Sequence, residues 1–186
     1  THFNFATAVG DPEIYPAGVR DVGAISLDAE NLHGRIIRPN NNAGHDGILR
    51  VFGIPYEMDG QTINLLFANH SVSDSGERLL ALRDSGNSVM DIVLMASGVV
   101  HAAPGATVEL TNNRILEEGG SHSITKTGAG ILQFSTASSG GFSGGLYINE
   151  GTVLYGRTGS VGSGTVYLGK DGGGDVALLR NSGGWD

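Results

Sequence analysis

Short apolar clusters, each closed off by glycine, asparagine, aspartate or serine, begin at roughly 10–16-residue intervals along this chain. In order they are GAISL (23–27), GRIIR (34–38), GILRVFG (47–53), TINLLFA (62–68), RLLALR (78–83), SVMDIVLMA (88–96), ATVEL (106–110) and HSITK (122–126). GILQFS (130–135), GLYIN (145–149), GTVLYG (151–156), GTVYLG (164–169) and DVALLR (175–180) follow. Most alternate apolar and polar residues, the period of a half-buried strand. The residues between them suit turns, because glycine reaches positive φ and Asn, Asp and Ser bond their own backbone. Pairs of clusters recur at about 20–28 residues, which predicts stacked repeats rather than a closed globule. SDSGERLLALRDSG (73–86) also fits a short helix, capped at Ser73 or Ser75 and stopped at Gly86. Its apolar stretch is short and its neighbours read as strands, so the strand is preferred.

Composition narrows the role. The 31 glycines lack the strict triplet period of collagen, and 39% hydrophobic residues are too many for a disordered chain. A length of 186 residues suits a single domain with a real core. The formal charge of −8 excludes the basic footprint that nucleic acid requires. No apolar run approaches the ~20 residues of a spanning helix, and no basic amphipathic stretch addresses a membrane surface. With no cysteine there are no disulfides and no thiolate metal sites. No signal peptide is read at the start, as expected of a cytosolic chain or of a processed piece of an exported one.

The character changes near Gly119. Residues 1–118 hold 7 Lys/Arg and 15 Asp/Glu, whereas residues 119–186 hold 4 of each and 19 of the glycines. Because clusters continue across the junction without a linker, we read 1–118 as acidic, less regular coils. Residues 119–186 then form glycine-rich, regular coils of the same elongated domain.

The stretch Ser123–Gly156, SITKTGAGILQFSTASSGGFSGGLYINEGTVLYG, carries an ordered motif. Ile124-Thr125-Lys126-Thr127-Gly128-Ala129-Gly130 precedes the strand Ile131-Leu132-Gln133-Phe134. Phe142-Ser143-Gly144-Gly145, Leu146-Tyr147-Ile148 and Asn149-Glu150-Gly151-Thr152-Val153 follow. This order resembles the autotransporter-associated β-strand repeat (passenger-associated transport repeat) of bacteria. Ile131 and Val153 stand where Thr and Leu are commoner, and residues 1–118 share only the general style. The resemblance implies an all-β, right-handed parallel β-helix (a β-solenoid) in a secreted or bacterial cell-surface protein. It also implies no catalytic residues within the repeat. The marking positions are Lys126, Gly128, Gly130, Gly144, Gly145, Asn149, Gly151 and Thr152. From alternation and repeat register, the inward residues are Ile124, Leu132, Phe134, Leu146, Ile148, Val153 and Val166, with Lys126 at an exposed corner.

Candidate chemistry is sparse. His2, His33, His45, His70, His101 and His122 show no metal-ligand spacing, and His45-Asp46 in NNAGHDG reads as a turn. KDGGGDVAL (170–178) offers Asp171 and Asp175 as weak calcium ligands, without the repeating nonapeptide that such sites use. Asp11/Glu13, Asp28/Glu30, Glu57/Asp59 and Glu117/Glu118 raise the question of glycoside hydrolysis, which needs two carboxylates at a set separation across a cleft, but each pair adjoins turn residues. Tyr15, Tyr56 and Trp185 are loop aromatics suited to stacking on sugars or to covering strand ends.

These readings predict a non-catalytic extracellular structural segment (passenger, stalk or fibre) without cofactor. Its partners would be neighbouring β-helix coils or copies of itself end to end, since THFNFATAV and NSGGWD carry no capping motif. The alternatives are a surface adhesin or carbohydrate-binding module with a glycan or protein ligand, and a polysaccharide-degrading enzyme.

Overall fold

A computed structural model describes residues 2–4, 18–27, 35–37, 46–71, 78–83, 88–111, 114–134, 141–156, 159–169 and 176–181. Among them there are strands and no helix. After β1 (His2–Asn4) the chain runs through β2 (Gly18–Val22), β3 (Ala24–Leu27) and β4 (Arg35–Ile37). It returns through β5 (Gly47–Val51), a hairpin arm β6 (Ile54–Met58), β7 (Gln61–Asn69) and β8 (Leu79–Arg83). Next come β9 (Met90–Leu94), β10 (Gly98–Ala102) and β11 (Thr107–Thr111), then β12 (Ile115–Glu117), β13 (Ile124–Thr127) and β14 (Ile131–Phe134). The last strands are β15 (Leu146–Ile148), β16 (Gly151–Tyr155), β17 (Val166–Leu168) and β18 (Ala177–Asn181).

These strands build three sheets. Sheet A is ordered β1-β3-β7-β10-β13-β15-β17, sheet B β2-β5-β9-β12, and sheet C β4-β8-β11-β14-β16-β18. From β2 to β14 the chain visits B, A and C in that order on every pass. Every pairing is parallel except β6 with β7. In the last two passes the described residues hold no sheet B strand. Gly141 N–H donates to Ile115 O (2.7 Å) and Ser163 N–H to Phe142 O (3.0 Å), so that wall stays bonded between passes. Pairing also crosses the compositional change at Gly119, through β9–β12, β10–β13 and β11–β14. The segment that also fits a helix contains strand β8, held between β4 and β11.

The core lies between the sheets, in columns set by register. Leu80, Val108, Leu132, Val153 and Leu179 form one on sheet C. Ile124, Leu132, Phe134, Leu146, Ile148 and Val153 are fully buried, as their alternation predicts, and Val166 packs against them half-buried. Each such side chain stabilises by about 1.5–3 kcal/mol before entropy is counted.

Lys126 corrects the sequence reading. It is not an exposed corner residue but fully buried, in the sheet A column Ile25–Phe67–Val100–Lys126–Ile148. Its stem fills the place of an aliphatic residue. Nζ donates to Thr127 O (2.7 Å), Gly128 O (2.5 Å) and, at longer range, Glu150 O (3.3 Å). The reason lies in the corner that follows. A Cβ on Gly128 would sit 2.3 Å from Ala102 O, and one on Gly151 2.4 Å from Gly128 O, so successive A-to-C corners nest backbone on backbone. Such corners leave buried carbonyls that need a donor, and a lysine reaching from the core provides one. Asn69 does the same two passes earlier: its fully buried Nδ2 donates to Arg78 O (3.0 Å) and Thr107 O (2.8 Å).

Outside, paired arginine and carboxylate forks tie neighbouring passes together. Arg50 grips Asp21 (2.7 and 2.9 Å), Arg83 grips Glu109 (2.9 and 2.8 Å) and Arg114 grips Asp91 (2.8 and 2.5 Å). The hydrogen bond from Arg50 holds the Asp21 carboxyl below its usual range.

Candidate functional site

The outer face of sheet A carries a recess. Strand alternation places Val99, Thr125, Tyr147 and Tyr167 in one outward register column, with His101 and Thr127 in the next. The β6–β7 hairpin folds over this face. Its turn, Met58-Asp59-Gly60-Gln61, has φ of 50° at Asp59 and 74° at Gly60, and Met58 pairs with Gln61. Two central residues at positive φ fit a type I′ turn, whose twist matches the strands it joins. The arm is anchored because Ile54, Tyr56 and Ile63 pack on Ala24, Leu65 and Ala68, a second small apolar cluster.

Beyond that anchor the hairpin tip overhangs a cleft of about 440 Å³. Met58, Asp59, Gln61 and Ile63 come from the hairpin, and Val99 and His101 from β10. Thr125, Thr127 and Gly128 come from β13 and its corner, and Asn149 and Glu150 from the next corner. The walls therefore mix hydroxyl, amide and carboxylate groups with apolar patches.

Hydrogen bonds set the orientation of several of these groups. Glu150 Oε2 accepts the Gly128 N–H (3.1 Å), and His101 Nδ1 lies 3.1 Å from Thr127 Oγ1. His101 also stacks on His70 (4.9 Å between ring centres), which stacks on Tyr56 (5.9 Å). Burial, then the neighbouring His70 and Lys126, pushes the His101 ring down to about 4, so it is neutral near pH 7. Burial likewise pushes Lys126, behind the corner, down to about 8, against the opposing pull of Glu150. Below the cleft Tyr147 and Tyr167 stack almost parallel (4.5 Å, 5°), and Tyr167 is 47% exposed.

The candidates read from sequence fall mostly elsewhere. Asp171, Asp175, His33, His45, Asp11, Glu13, Asp28, Glu30, Tyr15 and Trp185 lie outside the described residues, as does the side chain of His2. Asp46 is a clamp between passes: Oδ1 accepts the Val89 N–H (2.8 Å) and its carbonyl the Gly18 N–H (3.3 Å). Glu57 bonds Thr62 across the hairpin, while Asp59 alone of that pair lines the cleft. Glu117 accepts the N–H groups of His122 (2.8 Å) and Ser143 (3.0 Å) and the Ser143 hydroxyl (2.5 Å). Burial raises its carboxyl, but these donors and the His122 charge together bring it below the usual value. His122 Nε2 in turn lies 2.9 Å from Glu118 O. Tyr56 packs under the hairpin and does not line the cleft. Among the described residues no three His, Asp or Glu side chains converge on a metal position.

Of the repeat-motif positions, Lys126, Gly128, Gly130, Gly144, Gly145 and Gly151 are scaffold. A Cβ on Gly130 would meet Ala103 O at 2.3 Å, on Gly144 His122 C at 2.5 Å, and on Gly145 Thr165 O at 2.8 Å. Thr152 N–H donates to Gly130 O (3.1 Å) and Asn149 N–H to Lys126 O (3.0 Å). Asn149 therefore serves both the corner and the cleft. The Asp59-Gly60 turn between IPYEM and QTINL was the available sequence signal for the hairpin. No spacing rule brings Asp59, His101, Thr127 and Glu150 together.

Comparison with models of known families, with curated proteins and with solved structures found no match.

Proposed function

We propose that this chain is a right-handed parallel β-helix segment of a secreted or surface-exposed bacterial protein, acting as passenger, stalk or fibre and not as an enzyme. The observation that carries the reading is the pass-by-pass return of the chain to the same parallel sheets with core columns in register. Such an arrangement extends by adding passes, and its length and stiffness are useful in themselves. The likeness of Ser123–Gly156 to the passenger-associated repeat adds the bacterial export context. The burial of Lys126 at the TKTG position and the nesting of its glycines give that motif a structural purpose.

The partner in this reading is another pass of β-helix, from a neighbouring coil or a second copy. Val176 (67% exposed), Leu168 (58%) and Leu178 (44%) lie on or beside β17 and β18, the edge strands of sheets A and C. An edge with apolar residues beside unpaired backbone is a template for a further strand.

Antibody labelling of intact producing cells tests the location, and light scattering with electron microscopy over a concentration series tests the association. Surface label together with mass that grows with concentration is expected. A chain confined to the cytosol, or a monomer of constant mass at every concentration, contradicts the corresponding half of the reading.

A further inference from the structure

We propose that the cleft beneath the Asp59–Gly60 hairpin is a binding site for a glycan with neutral or amino-bearing sugars. The inference goes beyond the structural role and does not depend on it: a chain that failed surface labelling would still carry this cleft.

The hairpin is the first reason. Stacking of passes requires β7 to pair with β3 and β10, and the strand does so from Leu65 onward. The arm formed by β6 and the start of β7 adds no pass. It anchors itself through Ile54, Tyr56 and Ile63 and holds its tip over sheet A. A rigid overhang on a flat sheet makes a concavity, and a concavity with a few oriented polar groups is what small-ligand sites share.

The lining supplies the chemistry. Asp59 and Glu150 accept from hydroxyls or ammonium groups, Gln61 and Asn149 both donate and accept, and Thr125 and Thr127 add hydroxyls. Met58 and Val99 give apolar patches for the C–H faces of a sugar ring. Two carboxylates without an arginine or lysine in the lining disfavour an acidic sugar, which separates this site from one for polyuronides.

Methionine methyl NMR provides a probe at the site itself. The chain has three methionines, and of these Met58 lines the cleft whereas Met90 is buried in the main core. Malto-, cello-, galacto-, chito- and glucosamine oligosaccharides are titrated into the protein to roughly millimolar levels, with oligogalacturonate and oligolysine in parallel. At least one neutral or amino member should shift the Met58 methyl signal and leave Met90 in place. Asp59→Asn, which tolerates positive φ, and Gln61→Ala, which removes a lining amide, should each weaken that binding about ten-fold. Ile48→Thr, on the outer face of sheet B, should not change it. The Met58 shift in the unaltered protein decides the matter even where a variant fails to fold. A Met58 signal unmoved by every neutral and amino sugar overturns the proposal. So does one moved only by oligogalacturonate, or one that oligolysine moves more strongly, which marks a basic peptide site instead.

Discussion

Lys126→Ala should destabilise the protein by about 2–5 kcal/mol, the same range expected for Leu132→Ala, although one residue is charged and the other aliphatic. Both are fully buried in core columns, so each truncation opens a cavity. The lysine change additionally strips the donor from the carbonyls of Thr127 and Gly128. Urea unfolding of the two variants measures the comparison, and a Lys126→Ala variant as stable as the parent contradicts the buried placement. A pH dependence goes with it. Burial pushes the Lys126 ammonium down to about 8, whereas in the unfolded chain it keeps its proton to about 10.5. Between those values the unfolded state binds more protons, so this group's contribution makes stability rise with pH from about 8 to 10.5. The penalty is fully present below pH 8. Lys126→Met keeps most of the volume and removes the titration. The difference in stability between Lys126→Met and the parent should therefore change across that window.

Gly128→Ala should cost about 3 kcal/mol or more, whereas Gly60→Ala should cost only about 1–2 kcal/mol. Both glycines have nearly the same backbone, φ of 78° and 74°, so conformational strain alone does not distinguish them. Space does. A methyl at Gly128 would lie 2.3 Å from Ala102 O and 2.7 Å from His101 Cε1, while nothing lies within 4 Å of one at Gly60. The backbone at Ala102 belongs to the pass before, held by its own ladder, and cannot yield cheaply. Unfolding midpoints of the two variants provide the readout. Equal losses would mean that the A-to-C corners do not nest.

What could be read from the residues followed period and punctuation. Every apolar cluster marked by alternation and turn residues contains a strand, and the inward set from Ile124 to Val153 is buried. β2 escaped notice because GVRDV is an edge strand whose first four residues are exposed and partly charged. β12 is only three residues long, and β6 opens with Ile54-Pro55, which reads as a loop. Lys126 is the instructive case. Strict alternation in Ile124-Thr125-Lys126-Thr127 already set it on the same face as Ile124. The expectation that a lysine seeks solvent overrode that parity, because nothing in a linear pattern reveals inward-facing corner carbonyls. The cleft was still less accessible to sequence reading, since its groups come from a hairpin and three successive passes. Those groups meet only through register.

Register is therefore the quantity to measure, and the absence of native cysteine makes the measurement clean. Thr125 and Tyr147 are direct partners on β13 and β15. Neighbouring strands lie about 4.8 Å apart, within the Cα separation a disulfide spans. Thr125→Cys combined with Tyr147→Cys should form an intramolecular disulfide rapidly under mild oxidation. Thr125→Cys combined with Thr152→Cys, which places the second thiol on sheet C opposite Ile131, should not. Cross-linking of the first pair alone is the result this stacked architecture predicts; failure of that pair, or equal cross-linking of both, would contradict it.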